Sequence, residues 1–116
     1  MDKHSEAREE YFVVKQVLSP VKVALNDGRK IRLLGLAPLA EKHDQAVEYL
    51  KKKVLGKRVF LKFDALVGEK KDEPLGYLYL ANKTFVNAHL LKEGLVGVDD
   101  SIEFKKKMNF LKKQRS

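Results

Sequence analysis

The 116-residue sequence contains no cysteine, no tryptophan and only three prolines. Without cysteine the chain has no disulfide scaffold, no cysteine-ligated zinc site and no thiol nucleophile. No stretch approaches the roughly 20 apolar residues that cross a bilayer, and residues 1–10 are polar where a signal peptide carries an apolar segment. We therefore expect one small cytoplasmic domain without a membrane segment.

Positive charge, in contrast, is in excess. The chain has 24 Lys and Arg residues against 16 Asp and Glu residues, a formal net charge of +8. Two basic blocks carry this excess, residues 51–71 with a net charge of +6 and residues 101–116 with +5. Such concentrations favour binding to a polyanion, because each phosphate that Lys or Arg neutralises releases a condensed counterion. The alternative is a pair of solvated faces that keep the protein soluble.

Five segments have the composition and alternation of short β-strands. They are residues 11–18, 21–25, 30–33, 58–64 and 75–80. The tight-turn sequence Asn26-Asp27-Gly28 lies between the second and the third segment. Because Asp and Gly tolerate a positive φ, this sequence predicts a hairpin there.

Helical spacing of apolar residues follows the third strand. Apolar residues recur at three- to four-residue steps over residues 39–54, with His43 on the apolar stripe. A second, short helix is predicted over residues 87–93, where Gly94 closes it. The helix over residues 39–54 is amphipathic, and we expect it to close the barrel between the third and fourth strands.

The last predicted helix begins at Asp100 or Ser101, where Glu103 is placed to complete a capping arrangement. Its buried side chains are spaced at i, i+4 and i+7, and they are those of Phe104, Met108 and Leu111. Residues 99–116 are thus expected to form a basic helix that lies on or beside the rest of the protein.

The order of these elements is that of an oligonucleotide-binding barrel, with one helix between the third and fourth strands and two helices after the fifth. The predicted fold class is therefore α+β, mainly β, with a five-stranded barrel and about three helices. We assign residues 1–10 to a polar lead-in and residues 11–98 to the barrel domain. No internal repeat or second domain is indicated.

Three segments resemble the staphylococcal nuclease-like family. They are Ile31-Arg32-Leu33-Leu34-Gly35 followed by Pro38, the stretch KKKVLGKRVFLKFD, and the stretch LGYLYLANKTFVNAHLLKEGL. The resemblance runs in order from about Val14 to Leu95 and implies the nuclease-type barrel. It also implies a site in which a calcium ion held by carboxylates, a Glu base and two arginines converge on one phosphate.

This sequence departs from the family's pattern at the matching positions. The segment that would supply the first metal carboxylate reads Val17-Leu18-Ser19-Pro20. The second metal Asp and the base Glu are missing from Leu36-Ala37-Pro38-Leu39, and Asp72-Glu73-Pro74 stands where the family has its second arginine. Of the five groups only Arg32 remains, so the resemblance implies neither a metal site nor catalysis in this chain.

No other constellation is expected to replace that site. The remaining acids have the pattern of solvated loop or helix-surface residues, and they are Asp27, Glu41, Asp44, Asp64, Glu69, Asp72 and Glu73. The three histidines are isolated and have no chelating spacing, and no glycine motif forms a phosphate-cradling loop. We therefore expect no metal and no cofactor.

Binding is better supported than catalysis. Barrels of this class hold single strands with a basic groove and exposed aromatic residues on which bases stack. Phe60 shares a strand face with Lys62, so it is either exposed for stacking or buried beneath the helices, whereas core packing is favoured for Tyr77 and Tyr79. Arg32 contacts a phosphate or forms an ion pair within the barrel. The predicted nucleic-acid-binding residues are Arg32, Lys51, Lys52, Lys57, Arg58, Phe60, Lys62, Lys70 and Lys71.

The C-terminal part of the chain adds a context. The sequences FKKK and FLKK, together with ANKTFVNAHLLKEGL, are similar to nuclease-like domains fused behind DNA methyltransferases of restriction-modification systems. The resemblance implies an accessory domain, because the chain has no methylase motif of its own. We expect a non-catalytic module that binds nucleic acid, DNA rather than RNA, and is linked to or associated with a catalytic domain. The alternatives are a protein-interaction domain on the same scaffold and a nuclease with a relocated metal site.

Overall fold

The computed structural model describes residues 10–67 and 74–114. Its strands are β1 Phe12–Ser19, β2 Lys22–Leu25, β3 Lys30–Leu33, β4 Leu36–Pro38, β5 Arg58–Lys62, β6 Leu75–Leu80 and β7 Val96–Val98. Its α-helices are α1 His43–Val54, α2 Val86–Lys92 and α3 Lys107–Gln114, and a 3-10 turn over Ala40–Lys42 precedes α1. No helix in these two ranges has both the length and the apolar character that crossing a membrane requires.

Five of the strands close into a barrel in the order β1-β2-β3-β6-β5. Neighbouring strands are antiparallel except β3 and β6, which are parallel. The predicted hairpin joins β2 to β3, where Gly28 has a φ of 92° and its N–H donates to the Leu25 carbonyl at 3.0 Å. The closed five-stranded barrel with three helices confirms the predicted α+β fold class.

The short strands β4 and β7 form a second sheet that the sequence pattern does not predict. Each has three residues, which is too few to display the alternation of a strand. Leu36 pairs with Val98, so the chain after α2 returns to the segment that follows β3. The Asp99 N–H then donates to the Gly35 carbonyl at 2.9 Å.

Apolar side chains from every second strand residue fill the barrel. Ile31 and Leu33 of β3, Val59 of β5 and Leu78 of β6 are all 0% exposed. The apolar face of α1 contributes the fully buried side chains of Ala46, Leu50 and Val54.

The prediction that His43 lies on this apolar face is wrong, because its side chain is exposed. The helix predicted from residue 39 is a 3-10 turn over Ala40–Lys42 followed by α1, so His43 is the first residue of α1 and lies one turn before the first buried residue of that helix. The apolar stripe therefore begins at Ala46 and does not include the imidazole.

The last helix begins later than predicted. Asp99 Oδ1 accepts hydrogen bonds from the Ser101 N–H at 2.9 Å and from the Ser101 hydroxyl at 2.6 Å. This Asx turn competes with the start of a helix, because the Asp99 side chain binds the Ser101 N–H and holds the backbone in a turn. The chain stays irregular until α3 begins at Lys107.

The later start changes which side chains are buried. Phe104 is 3% exposed, as predicted, although it precedes the helix. Met108, which was expected in the core, is 68% exposed, and Phe110 is the fully buried residue of α3. Leu111 is half-buried. The prediction for Met108 is wrong because it assumed a helical frame that begins at residue 100 or 101.

Gly35 is the point at which this C-terminal segment meets the barrel. Its φ is 84°, in the region that favours glycine. A Cβ at this position would lie 2.5 Å from the Phe104 ring and 2.8 Å from the Phe110 ring. The glycine that ends the RLLG sequence therefore leaves the space that two aromatic rings occupy.

Asn87 fixes α2 over the strands. Its side chain is 0% exposed, and its Oδ1 accepts the Leu78 N–H at 2.8 Å. Its Nδ2 donates to the Leu34 carbonyl at 3.0 Å. Because these buried polar atoms are paired, the amide links the helix to both β6 and the segment after β3 without leaving an unsatisfied buried group.

Candidate nucleic-acid interface

The basic residues of β5 point outward from the barrel. Val59 fills the interior, so its neighbours Arg58 and Phe60 lie on the outer face, and Lys62 shares that face at the next alternate position. Arg58 and Lys62 are exposed. The predicted residues Arg58, Phe60 and Lys62 thus form one row on one strand.

Each of these two cations lies near an aromatic ring that does not belong to β5. The Arg58 guanidinium carbon is 4.6 Å from the centroid of the Tyr11 ring, and Lys62 Nζ is 5.6 Å from that of Tyr79. A third cation, Lys106 from the C-terminal segment, has its Nζ 5.6 Å from the Tyr77 centroid. The sequence analysis missed Lys106, and its position in a run of lysines carries no signal that distinguishes it.

Phe60 is not available to a base. It is 2% exposed, because the Tyr79 ring stacks on it at 5.1 Å and the Tyr11 ring meets it edge-on at 5.8 Å. The sequence allowed Phe60 to be either exposed for stacking or buried, and in the structure it is buried. This corrects the prediction of Phe60 as a nucleic-acid-binding residue. Tyr77 is also packed, with 4% exposure.

The other predicted lysines precede β5. Lys51 and Lys52 lie in the last turn of α1, and Lys57 immediately precedes the strand, and all three are exposed. Lys52 borders a shallow groove of about 420 Å³ that two acids of α1 also line, so its surroundings are of mixed charge. Lys70 and Lys71 lie outside the described residues.

Arg32 is separated from the β5 row. It lies on the outer face of β3, and β6 stands between β3 and β5, so two strand spacings of about 10 Å in total separate them. Hydrogen bonds from Ser101, together with the charges of Arg32 and Lys107, lower the pKa of Asp99 against the opposing effect of burial. Arg32 therefore has a carboxylate of its own chain nearby, at a position that the sequence analysis did not identify.

Asp64 is a buried acid, not the solvated one that the sequence pattern predicts. It is 4% exposed, and its Oδ2 accepts the Tyr77 hydroxyl at 2.7 Å and the Lys105 N–H at 2.6 Å, while Oδ1 accepts the Leu66 N–H at 2.9 Å. Burial acts to raise its pKa, but these hydrogen bonds prevail and the pKa is lowered. Burial and the bond to Asp64 raise the pKa of Tyr77 well above its usual range.

The carboxylate of Asp64 is therefore a structural anchor for the C-terminal segment. Both of its oxygens are engaged by donors of the protein. Over residues 10–67 and 74–114, no three His, Asp or Glu side chains are grouped so that they could hold a metal ion. The chemistry that the described surface offers is that of exposed cations.

Comparison with known proteins identifies a family. The family model described as Staphylococcal nuclease homologue matches residues 22–116. The matched region extends from β2 through α3 and so includes the row on β5, Arg32 and Asp64. No curated protein matches the sequence.

Proposed function

Because this chain belongs to the family of staphylococcal nuclease homologues, we propose that it is a non-catalytic nucleic-acid-binding module, with DNA as its ligand. The observation that carries this proposal is the row of exposed cations Arg58 and Lys62 on the outer face of β5, together with the exposed Lys57 immediately before the strand. Lys51 and Lys52 continue it onto the end of α1. The family supplies a scaffold related to nucleic acid, and this row supplies the cations that phosphates require.

The binding chemistry is electrostatic. Each Lys or Arg that meets a phosphate displaces a condensed counterion, so affinity falls steeply as salt is added. The planar guanidinium of Arg58 also matches two phosphate oxygens at once, which makes its hydrogen bonds shorter and stronger than those of a neutral donor. Such contacts fix the position of the nucleic acid and carry no sequence information.

Two features support the absence of catalysis. The sequence has Leu36-Ala37 before and Leu39 after Pro38, where the family's second metal Asp and base Glu flank the proline, and β4 pairs Leu36–Pro38 with β7. Asp99, in addition, places a negative charge near Arg32. A phosphate that approached this guanidinium would compete with that carboxylate.

We further propose that the module is an accessory domain of a DNA-modifying enzyme such as a DNA methyltransferase. This rests on the similarity of its C-terminal sequences to domains found behind such enzymes. A tethered binding module raises the effective concentration of a catalytic domain on DNA without any new contact in the active site. The cytoplasm is the proposed location, which fits a chain without cysteine.

A cleavage assay tests the non-catalytic part. We expect incubation with DNA or RNA in calcium or magnesium to give no products above a matched buffer control. Cleavage that co-purifies with the protein, is abolished by EDTA and disappears in the triple variant Glu69→Gln, Asp72→Asn and Glu73→Gln would establish a relocated nuclease site instead.

A titration with labelled oligonucleotides at two salt concentrations tests the binding part. Reversing Lys70 and Lys71 to Glu should weaken binding to every sequence, and reversing Lys112 and Lys113 on α3 should weaken it less. A larger effect on α3 would move the contact to the C-terminal block. Absence of binding by the unmodified chain would favour the protein-interaction domain.

A further inference from the structure

Three parallel aromatic rings cover the outer face of β5 and β6. Tyr79 stacks on Phe60 at 5.1 Å, with 5° between the ring planes, and on Phe85 at 4.7 Å, with 8° between them. Phe60 belongs to β5 on one side of β6, and Phe85 pairs with Tyr79 from the other side. Both faces of the Tyr79 ring are therefore occupied by other side chains.

Tyr11 is the next aromatic residue along this face, and its ring is also in contact with other side chains. Tyr11 meets Phe60 edge-on, and the Arg58 guanidinium lies over the Tyr11 ring. Single-strand-binding barrels gain affinity when bases stack on exposed ring faces. Here the ring faces of Phe60 and Tyr79 are covered and that of Tyr11 carries a cation. The face does not provide the stacking platform that a single strand needs.

What this face does offer is a set of cations supported by rings. Arg58 and Lys62 lie four residues apart on one strand, a separation of about 13 Å. Lys106 joins them from the C-terminal segment, with its Nζ 5.6 Å from the Tyr77 centroid and 5.8 Å from that of Phe85. The strands β5 and β6 carry no acid. An aromatic surface under a cation attracts it and limits its freedom, so less entropy is lost on binding an anion.

We propose that this face, formed by Arg58, Lys62 and Lys106 over the aromatic rings, binds the phosphates of double-stranded nucleic acid rather than the bases of a single strand. A duplex keeps its bases stacked inside and presents only its backbone, and it carries twice the phosphate density of one strand along its axis. These properties match a surface of cations on which the Phe60 and Tyr79 rings are already stacked by other rings. The inference rests on the proposed function and specifies its ligand and contact residues.

The test compares a labelled duplex with one of its single strands of the same length over a series of salt concentrations. The full chain should bind the duplex more tightly. The triple variant Arg58→Gln, Lys62→Gln and Lys106→Gln should bind it roughly tenfold or more weakly, a loss of about 1.4 kcal/mol or more. The slope of log affinity against log salt should fall in magnitude by about 2.7, or about 0.9 per cation.

Two further variants separate a contact role from a structural one. Lys30→Gln removes one charge from an exposed position on β3, two strands away from β5, and should leave the slope unchanged. Arg58→Lys keeps the charge on the row and should preserve the slope, which a loss of folding would not allow. Equal thermal midpoints for the Gln variants and the unmodified chain are expected, because Gln retains a stem that covers the rings.

The outcomes are distinguishable. If the chain binds neither form of DNA at low salt, the proposed function fails. If it binds but the triple variant keeps the full slope, the function stands and this face is not the contact. Tighter binding to the single strand, with loss of binding in Tyr11→Ala, would overturn the duplex assignment. Displacement of the duplex by an equal charge concentration of poly-glutamate would show that the face takes acidic peptides.

Discussion

The two basic blocks of this sequence are used in different ways. In residues 51–71, the described cations extend from the end of α1 and the outer face of β5 into solvent. In residues 101–116, the Lys107 side chain is 16% exposed and turns back onto its own segment. Its Nζ donates to the carbonyls of Asp100 and Ile102 and to the Glu103 carboxylate, at 3.4, 3.1 and 3.3 Å. Charge alone therefore does not identify a binding surface.

The backbone explains the difference. The backbone of β5 pairs with β6 from Val59 to Lys62 and with β1 at Arg58 and Val59, so the ladders, rather than its side chains, bind most of its N–H and carbonyl groups. Residues 99–106 lie in no helix or strand, and their carbonyls need other donors. An ammonium has three N–H groups, and that of Lys107 meets three oxygens of this segment. Lys107 is thus retained as a structural donor, whereas Lys106 of the same segment lies over the Tyr77 and Phe85 rings.

The largest effect is expected where the second block is attached to the barrel. Gly35→Ala would place a methyl group against the Phe104 ring at a positive φ, so the free energy of unfolding in urea should fall by about 2–5 kcal/mol. Gly56→Ala is the matched control, since Gly56 has a φ of 75° but open space at its Cβ, and it should lose about 1–2 kcal/mol. Equal losses would show that ring packing on Gly35 contributes nothing.

The next effect is expected at the carboxylate that holds the same segment. In Asp64→Asn, the amide nitrogen takes the place of one oxygen, where it faces either the Leu66 N–H or both the Tyr77 hydroxyl and the Lys105 N–H, and the charge that strengthens these bonds is lost. We expect a loss of about 2–3 kcal/mol in unfolding free energy and faster hydrogen exchange of the Lys105 amide. Asp44→Asn, at an exposed site on α1, should change stability by less than about 0.5 kcal/mol. A stable Asp64→Asn with a protected Lys105 amide would contradict the anchoring role.

Acid should reproduce part of this loss in the unmodified protein. The pKa of Asp64 is lowered in the folded state, so its stabilising contribution is complete above the unfolded pKa of about 3.9 and is lost as the pH falls through the folded value. The stability difference between the unmodified chain and Asp64→Asn should therefore shrink below about pH 4. A difference that stays constant from pH 6 to pH 3 would argue against an ionised Asp64.

The smallest effect separates the two blocks directly. Lys107→Met should lower the unfolding free energy by about 1 kcal/mol, because the carbonyls of Asp100 and Ile102 lose a donor, and it should leave the salt slope of DNA binding unchanged. Lys57→Met, at an exposed position before β5, should change stability by less than about 0.5 kcal/mol and lower the slope by about one. A lower salt slope in Lys107→Met and a loss of stability in Lys57→Met would instead assign binding to residues 101–116 and a structural role to residues 51–71.

The sequence predicted those elements of the fold that are long enough to show a period. Alternation located the barrel strands, and the spacing of Ala46, Leu50 and Val54 located α1. The short strands β4 and β7 could not be found in this way, since their pairing joins segments that are distant in the chain. The start of α3 was missed because the Asp99 side chain competes for the backbone of Ser101.

For the candidate site, the sequence predicted the direction of side chains better than their surroundings. Strand parity correctly placed Phe60 beside Lys62 on the outer face. Its burial depends on Tyr79 of β6 and on Tyr11, which immediately precedes β1. Asp64 likewise accepts a hydrogen bond from the Lys105 N–H, which is 41 positions later in the chain, and no local sequence pattern predicts that contact. Whether Arg58, Lys62 and the other cations bind DNA stays a prediction.

The stack of Phe60, Tyr79 and Phe85 gives the protein an optical property. Since the chain has no tryptophan, its near-ultraviolet absorption comes from four tyrosines and six phenylalanines. Tyr79 is held between two parallel rings in a fixed, asymmetric setting, which is the condition for a strong near-ultraviolet circular dichroism band. Excitation of either phenylalanine can also pass to this tyrosine and emerge as its fluorescence. The barrel thus contains an intrinsic reporter that assembles only when β5, β6 and Phe85 come together, so closure of this sheet can be followed without a label.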